Sequence, residues 1–183
     1  MRRSLFFIHI AIVMATSFSA VRDGRAAKEP LPLVTVQNVD LARYMGGWFE
    51  IARFDHYFQK GCLGSSATYS LLPDGEIEVI NRCVNEKDSS LREAKGRAWS
   101  VDPGGNARLK VSFFWPFRTD YWIIDVGKDY EYAVVGDPKR KYLWILARKP
   151  VMDEVVYKRI LDVATRQGFD IDRLVRKPLP RKP

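Results

Sequence analysis

From residue 47 to residue 148 the chain repeats one pattern: a run of strand-forming residues, a turn signal, then another run. The runs are 47–54, 66–72, 76–83, 92–101, 107–114, 120–126, 131–136 and 142–148. Pro73-Asp74-Gly75 and Pro103-Gly104-Gly105-Asn106 separate two of the pairs, and such residues favour tight reversal. Eight runs joined mostly by short connections predict an antiparallel meander. An open meander leaves unpaired edges, and closure removes them. The predicted fold class is therefore all-β: an eight-stranded antiparallel up-and-down barrel. One helix follows, packed outside. Asp153 and Glu154 suit its N-terminus, and Gly168 follows its end. Val156, Tyr157, Ile160, Leu161 and Ala164 share a face, opposite Lys158, Asp162 and Arg166. Residues 169–175 suit a short ninth strand.

The approach to the first strand is distinctive. Prolines 30 and 32 make residues 28–39 an extended lead-in. Asp40 suits the cap of one turn, Leu41 to Met45, that stops at Gly46-Gly47. Trp48 then stands at the root of the strand. Glu50 shares its parity and points inward, where a carboxylate needs a partner. Strict alternation names none.

Alternation also sorts the wall. Ile77 and Val79, continued by Asn81, face in, with Glu76, Glu78 and Arg82 in water. Leu109, Val111 and Phe113 face in against Arg108 and Lys110. In 92–101, Lys95 and Arg97 point out, which turns Ala94, Gly96, Ala98 and Ser100 inward. These inner residues are small and leave volume unfilled. Runs 121–126 and 142–148 are apolar on both faces and so are covered on both sides. Trp122, Tyr132 and Trp144 are assigned to the interior. Eight strands enclose either a filled core or one small ligand, and the small inner residues favour the cavity. The expected ligand-binding set is Ile77, Val79, Asn81, Ala98, Leu109, Val111, Phe113, Trp122, Tyr132 and Trp144.

The ends of the chain read differently. Arg2 and Arg3 precede an apolar run, Leu5 to Ala15, broken only by His9 and followed by small residues. That is the outline of a secretory signal peptide over 1–27, cleaved between 19 and 27. The run is short for a membrane span of about 20 residues. Removing 1–27 takes away four arginines and one aspartate and lowers the formal charge from +8 to +5. Residues 28–175 form the expected single domain, and 176–183 a basic, proline-rich tail. The tail either touches anionic lipid or is a solvated end. Export argues against a nucleic-acid partner. It also argues that the two cysteines, Cys62 and Cys83, are paired, since they flank the hairpin at 73–75 almost symmetrically. Neither cysteine stands at the end of the signal segment, so anchoring through an acylated cysteine is not expected. The expected location is the periplasm or the outer-membrane surface.

Catalytic groups are sparse. After residue 27 the one histidine is His56, and the cysteines are expected to be tied together. Zinc would lack its usual ligands. A Cys62–His56 nucleophile would need a reduced thiol, and haem on His56 stands as a further alternative. The expectation is a binding protein without cofactor, metal or catalytic residues. An enzyme or small-molecule sensor on the same scaffold is the alternative.

Three motifs in order give a resemblance. Gly46-Gly47-Trp48, Thr119-Asp120-Tyr121 and Arg148 in Leu-Trp-Ile-Leu-Ala-Arg resemble the three motifs of the lipocalin family, from about residue 40 to 175. Gly47 to Phe54, Ala67 to Leu71 and Lys110 to Phe114 resemble bacterial lipocalins of the outer-membrane Blc type and, more distantly, apolipoprotein D. The resemblance implies a structural set of Gly46, Trp48, Thr119, Asp120, Tyr121 and Arg148, with the arginine lying across Trp48 to close one barrel end. It also implies a lipophilic ligand, a fatty acid or lysophospholipid, carried or stored for envelope maintenance.

Overall fold

The structure, a computed structural model, describes residues 31–102 and 104–176. The expected signal peptide, Pro103 and residues 177–183 of the tail lie outside the described residues. A short helix α1 (Leu41–Tyr44) leads into β1 (Gly46–Phe54), and β2 (Cys62–Leu71), β3 (Ile77–Asn85) and β4 (Leu91–Ser100) follow. Then come β5 (Arg108–Phe114), β6 (Phe117–Val126), β7 (Tyr132–Gly136) and β8 (Leu143–Ala147). Helix α2 (Glu154–Arg166) and β9 (Leu174–Val175) complete the described chain.

Strands β2 to β8 pair in sequence order, and β1 pairs with both β8 and β2, which closes the barrel. The closure is divided. Gly46 to Phe49 pair with β2, Phe49 to Arg53 with β8, and Arg53 and Phe54 with β9. The ninth strand thus covers the part of β1 that has parted from β2, so no long edge is left there.

Strand β1 also carries a bulge. Glu50 faces Leu146, but it is Ala52 that faces Ile145, leaving Ile51 as an extra residue. One extra residue reverses the inside–outside order of the rest of the strand. Trp48 and Glu50 face the interior before the bulge. After it, Arg53 turns to the same side and bonds to Glu50 of the cavity wall, while Ala52 and Phe54 join the outer cluster.

That outer cluster lies under α2. Asp153 caps the helix, accepting from the Val155 and Val156 N–H groups at 2.8 and 3.2 Å. Tyr157, Ile160 and Ala164 are buried against Ile51, Ala52, Phe54, Val134, Leu143 and Ile145. This explains why β7 and β8 are apolar on both faces: one meets the helix and the other the barrel interior. Trp122 and Tyr132 belong to the helix side, which corrects their assignment to the interior. In β6 it is Tyr121 and Ile123 that pack inward, and in β7 Ala133 and Val135. On a strand apolar on both faces, alternation identifies two sets without saying which is inside.

Cys62 and Cys83 form a disulfide across β2 and β3, with Cα atoms 5.6 Å apart. They close a loop with a sequence separation of 21. Cys62→Ser/Cys83→Ser should therefore lose about 3 kcal/mol of unfolding free energy in urea titration. An unchanged midpoint would show that the hairpin is held by its strand ladder alone.

Candidate functional site

The barrel encloses a cavity of about 830 Å³. Its floor lies toward Trp48 and its mouth lies between the β1–β2, β3–β4, β5–β6 and β7–β8 connections. The wall contains Ile77, Val79, Asn81, Ala98, Leu109, Val111, Phe113 and Trp144 from the expected set. Trp122 and Tyr132 are absent from it. Tyr132 Oη instead donates to Asp125 and accepts from Arg159 on α2. Trp122 lies under the Arg108 guanidinium, 4.7 Å from the ring centre.

The small wall residues divide in function. Ala94 and Ala98 border open space. Gly96 does not hold the cavity open. A Cβ there would stand 2.6 Å from Ser112 O and 2.7 Å from Phe113 Cδ1, so the Phe113 ring already occupies that position.

Near the mouth the wall turns polar. Glu50 receives a hydrogen bond from Arg53 Nη1 at 2.6 Å and from Gln59 Nε2 at 2.7 Å. Gln59 Nε2 also donates to Ser65 Oγ, and its Oε1 accepts from Trp144 Nε1. Arg53 is fully buried and Glu50 nearly so. Arg53 also lies 3.6 Å from Asp55 Oδ1, whereas Glu50 has Arg53 as its one cation among the described residues, so removing Arg53 would leave a buried carboxylate unpaired. The bulge at Ile51 is what brings Arg53 to the side of Glu50, so counting by twos misses this pair. Gln59 and Ser65 are also invisible to alternation; nothing in their local pattern marks them as wall residues.

His56 sits beside this cluster, ringed by Phe58, Tyr142 and Trp144 at 5.4–5.9 Å between centres. Both ring nitrogens are buried without a hydrogen-bond partner among the described residues. Burial, and next the Arg53 charge, push its pKa below the ordinary value. The neutral ring is therefore the folded form at neutral pH. Among the described residues no group of three or more His, Cys, Asp or Glu side chains is placed to hold a metal ion.

Outside the polar cluster the rim is aromatic. Tyr57, Phe58, Phe114, Trp115 and Phe117 are all exposed there, beside Lys60, Arg92 and Arg118. Among the described residues no helix is long and apolar enough to cross a membrane.

The closed end is built on Trp48. Its ring is buried and its Nε1 donates to Tyr44 O at 2.9 Å. The Arg148 guanidinium lies 3.7 Å from the ring centre and donates to the carbonyls of Arg43, Tyr44, Gly47 and Tyr130. Gly46, with φ +93°, turns the chain beneath it. The 119–121 segment lies elsewhere. Thr119 lines the cavity, Asp120 pairs with Lys110 across β5 and β6 at 2.6 Å, and Tyr121 reaches the floor. The motif sits within β6. The Asp-Tyr pair that does reach the closed end is Asp129-Tyr130. Tyr130 Oη accepts from Asp40 N, and its ring lies under Arg43.

These features define a cavity-bearing barrel with one sealed end and one open end. A lipocalin-like domain model matches residues 39–179, and the chain belongs to the lipocalin family. The chain is 42% identical to "Outer membrane lipoprotein Blc" of Escherichia coli strain K12 over 164 residues, covering 90% of this chain and 93% of that protein. It is 38% identical to "Temperature-induced lipocalin-1" of Arabidopsis thaliana, covering 82% and 84%. Mouse "Apolipoprotein D" is 34% identical, with 80% of each covered. Among solved structures, insecticyanin from the tobacco hornworm superposes with a TM-score of 0.65 at 17% identity, covering 80% of this chain and 84% of that one. Lobster apocrustacyanin A1 gives 0.63 at 16%, covering 76% and 79%. These two likenesses establish the fold.

The geometry generates two expected outcomes. Trp48→Ala and Arg148→Ala should lower the melting temperature before they alter acyl-chain affinity, because both lie behind the floor. A buried Trp truncation typically costs about 3–5 kcal/mol. A variant that kept its melting temperature yet lost binding would mark a ligand contact instead. For His56, a folded-state pKa below the unfolded value of about 6.5 means that the unfolded chain takes up the proton first. Stability contributed by the neutral ring is present above pH 6.5 and is lost as pH falls through the depressed folded value. Urea unfolding at pH 7.5 and pH 5 should show that loss, and His56→Phe should reduce it. An equal loss in the variant would assign the pH dependence to other groups.

Proposed function

We propose that this protein binds a lipophilic ligand, a fatty acid or lysophospholipid, in the barrel cavity and carries or stores it for maintenance of the cell envelope. One observation supports this above the others: a largely apolar cavity of about 830 Å³, sealed at one end and open at the other. Pockets of about 300–1,000 Å³ suit a small-molecule ligand. Burial contributes about 25 cal/mol per Å² of apolar surface, so an acyl chain binds with few polar contacts. The chemistry asked of the site is burial, with no covalent step. The Glu50–Arg53–Gln59 cluster lies where a polar headgroup would meet water.

The names of the bacterial relatives support an exported protein of the envelope, in the periplasm or at the outer-membrane surface. The aromatic rim supports loading from a membrane. Trp and Tyr favour the interfacial region of a bilayer, and adjacent Lys and Arg favour its anionic headgroups.

Filling the cavity tests the reading. Ala98 lines the cavity between Ile77 and Val111 on the neighbouring strands. Ala98→Trp should fold normally yet bind hexadecanoic acid at least tenfold more weakly in a fluorescence titration, because the new ring takes ligand volume. Overpacking costs stability only where the core is already full. An unstable variant, together with a wild type that binds no acyl chain, would mean a filled barrel.

A further inference from the structure

The cavity floor carries three hydroxyls that burial of a plain acyl chain leaves unused. Tyr44 Oη and Tyr121 Oη are 2.7 Å apart, and Tyr69 Oη and Tyr121 Oη are 3.0 Å apart. All three side chains line the cavity. Burial raises the pKa of Tyr69 to about 12 and those of Tyr44 and Tyr121 well above the ordinary value. Each hydroxyl therefore keeps its proton at neutral pH.

A row of three hydroxyls has three protons and two links. Whichever way the links run, one proton remains. The three hydroxyls make no other hydrogen bond with the described residues. Ile77, Leu109 and Leu146 belong to the same packed cluster, and the Glu50 carboxylate acts on Tyr69 through its charge without a hydrogen bond to it. A buried donor without an acceptor is costly, and a saturated chain ending in a methyl group would leave it so.

We propose that the tyrosine floor is a polar subsite that takes a neutral oxygen acceptor, a carbonyl, ether or hydroxyl oxygen, at the buried end of the ligand chain. This rests on the carrier reading and names the ligand class more closely: an acyl chain oxygenated near the end remote from its headgroup. A carboxylate fits the floor poorly. Arg148, on the far side of Trp48, is committed to four backbone carbonyls, and Arg53 is paired with Glu50 near the mouth. An anion at the floor would be desolvated without a cation of its own.

The test compares hexadecanoic acid with 15-oxohexadecanoic acid, whose added carbonyl is an acceptor only. Titration is run on wild type, on Tyr44→Phe, Tyr69→Phe and Tyr121→Phe singly, and on the triple variant. The infrared stretch of the bound ketone is recorded alongside. The ratio of the two affinities should favour the ketone about tenfold more in wild type than in the triple variant, and the ketone band should fall to lower frequency only where a tyrosine donates to it. Each single variant should keep the preference, because the remaining hydroxyls still have more protons than links. Equal ratios in wild type and triple variant, or an unshifted ketone band in wild type, would overturn the subsite while leaving the carrier reading intact. Binding of neither acid to wild type would overturn both. If the triple variant fails to fold, the wild-type band measured against the free ketone in an aprotic solvent decides the matter alone.

Discussion

One contact seals an end of this barrel: the Arg148 guanidinium over the Trp48 ring, 3.7 Å from its centre. Dispersion and cation–π attraction hold the two together, but the arginine does more than stack. Its hydrogen bonds collect carbonyls from α1, from Gly47 at the start of β1 and from Tyr130 in the β6–β7 connection. Three separate parts of the chain are thereby fixed across one end. Trp48 in turn holds the Tyr44 carbonyl through its indole N–H, and Tyr44 presents its hydroxyl to the floor. The seal and the floor of the cavity are thus linked through Tyr44, while Trp48 and Arg148 themselves stand behind the lining.

The two faces of the wall are supported differently. Behind β7 and β8 the helix α2 supplies a second layer, and the outer cluster that runs from Leu33 to Phe169 is buried. Toward the mouth the inner face is left uncovered by protein and carries the buried Glu50–Arg53 pair instead. A buried pair of this kind is weak evidence for stability. Its value lies in fixing Gln59, and through it the Trp144 indole, at the entrance. A hydroxyl-bearing floor thus lies beneath a polar collar and an aromatic rim.

Much of this architecture is legible in the chain. The eight runs, the helix after them and the outside place of α2 come from periods of two and 3.6. The cavity wall at Ile77, Val79, Leu109 and Val111 is legible because charged residues alternate with apolar ones there. Trp122 and Tyr132 are misplaced by alternation because their strands are apolar on both faces, and only the position of α2 decides which face is outside. The partner of Glu50 is hidden by the bulge at Ile51, since a one-residue insertion has no signature in alternation. Gly96 reads as empty space because the sequence cannot show that Phe113 folds over it. The tyrosine floor draws on α1, β2 and β6, and no local pattern unites three residues so far apart in the chain.

The central claim is that an acyl chain enters the barrel and lies against its inner wall. Trp144 is on that wall and Trp122 is on the opposite face of the sheet, so the two report on the two sides. A titration with a brominated fatty acid, which quenches nearby tryptophans, separates them. The ligand-dependent quenching should fall in Trp144→Phe and stay unchanged in Trp122→Phe. Loss of quenching in Trp122→Phe with none in Trp144→Phe would place the chain outside the barrel and contradict the account.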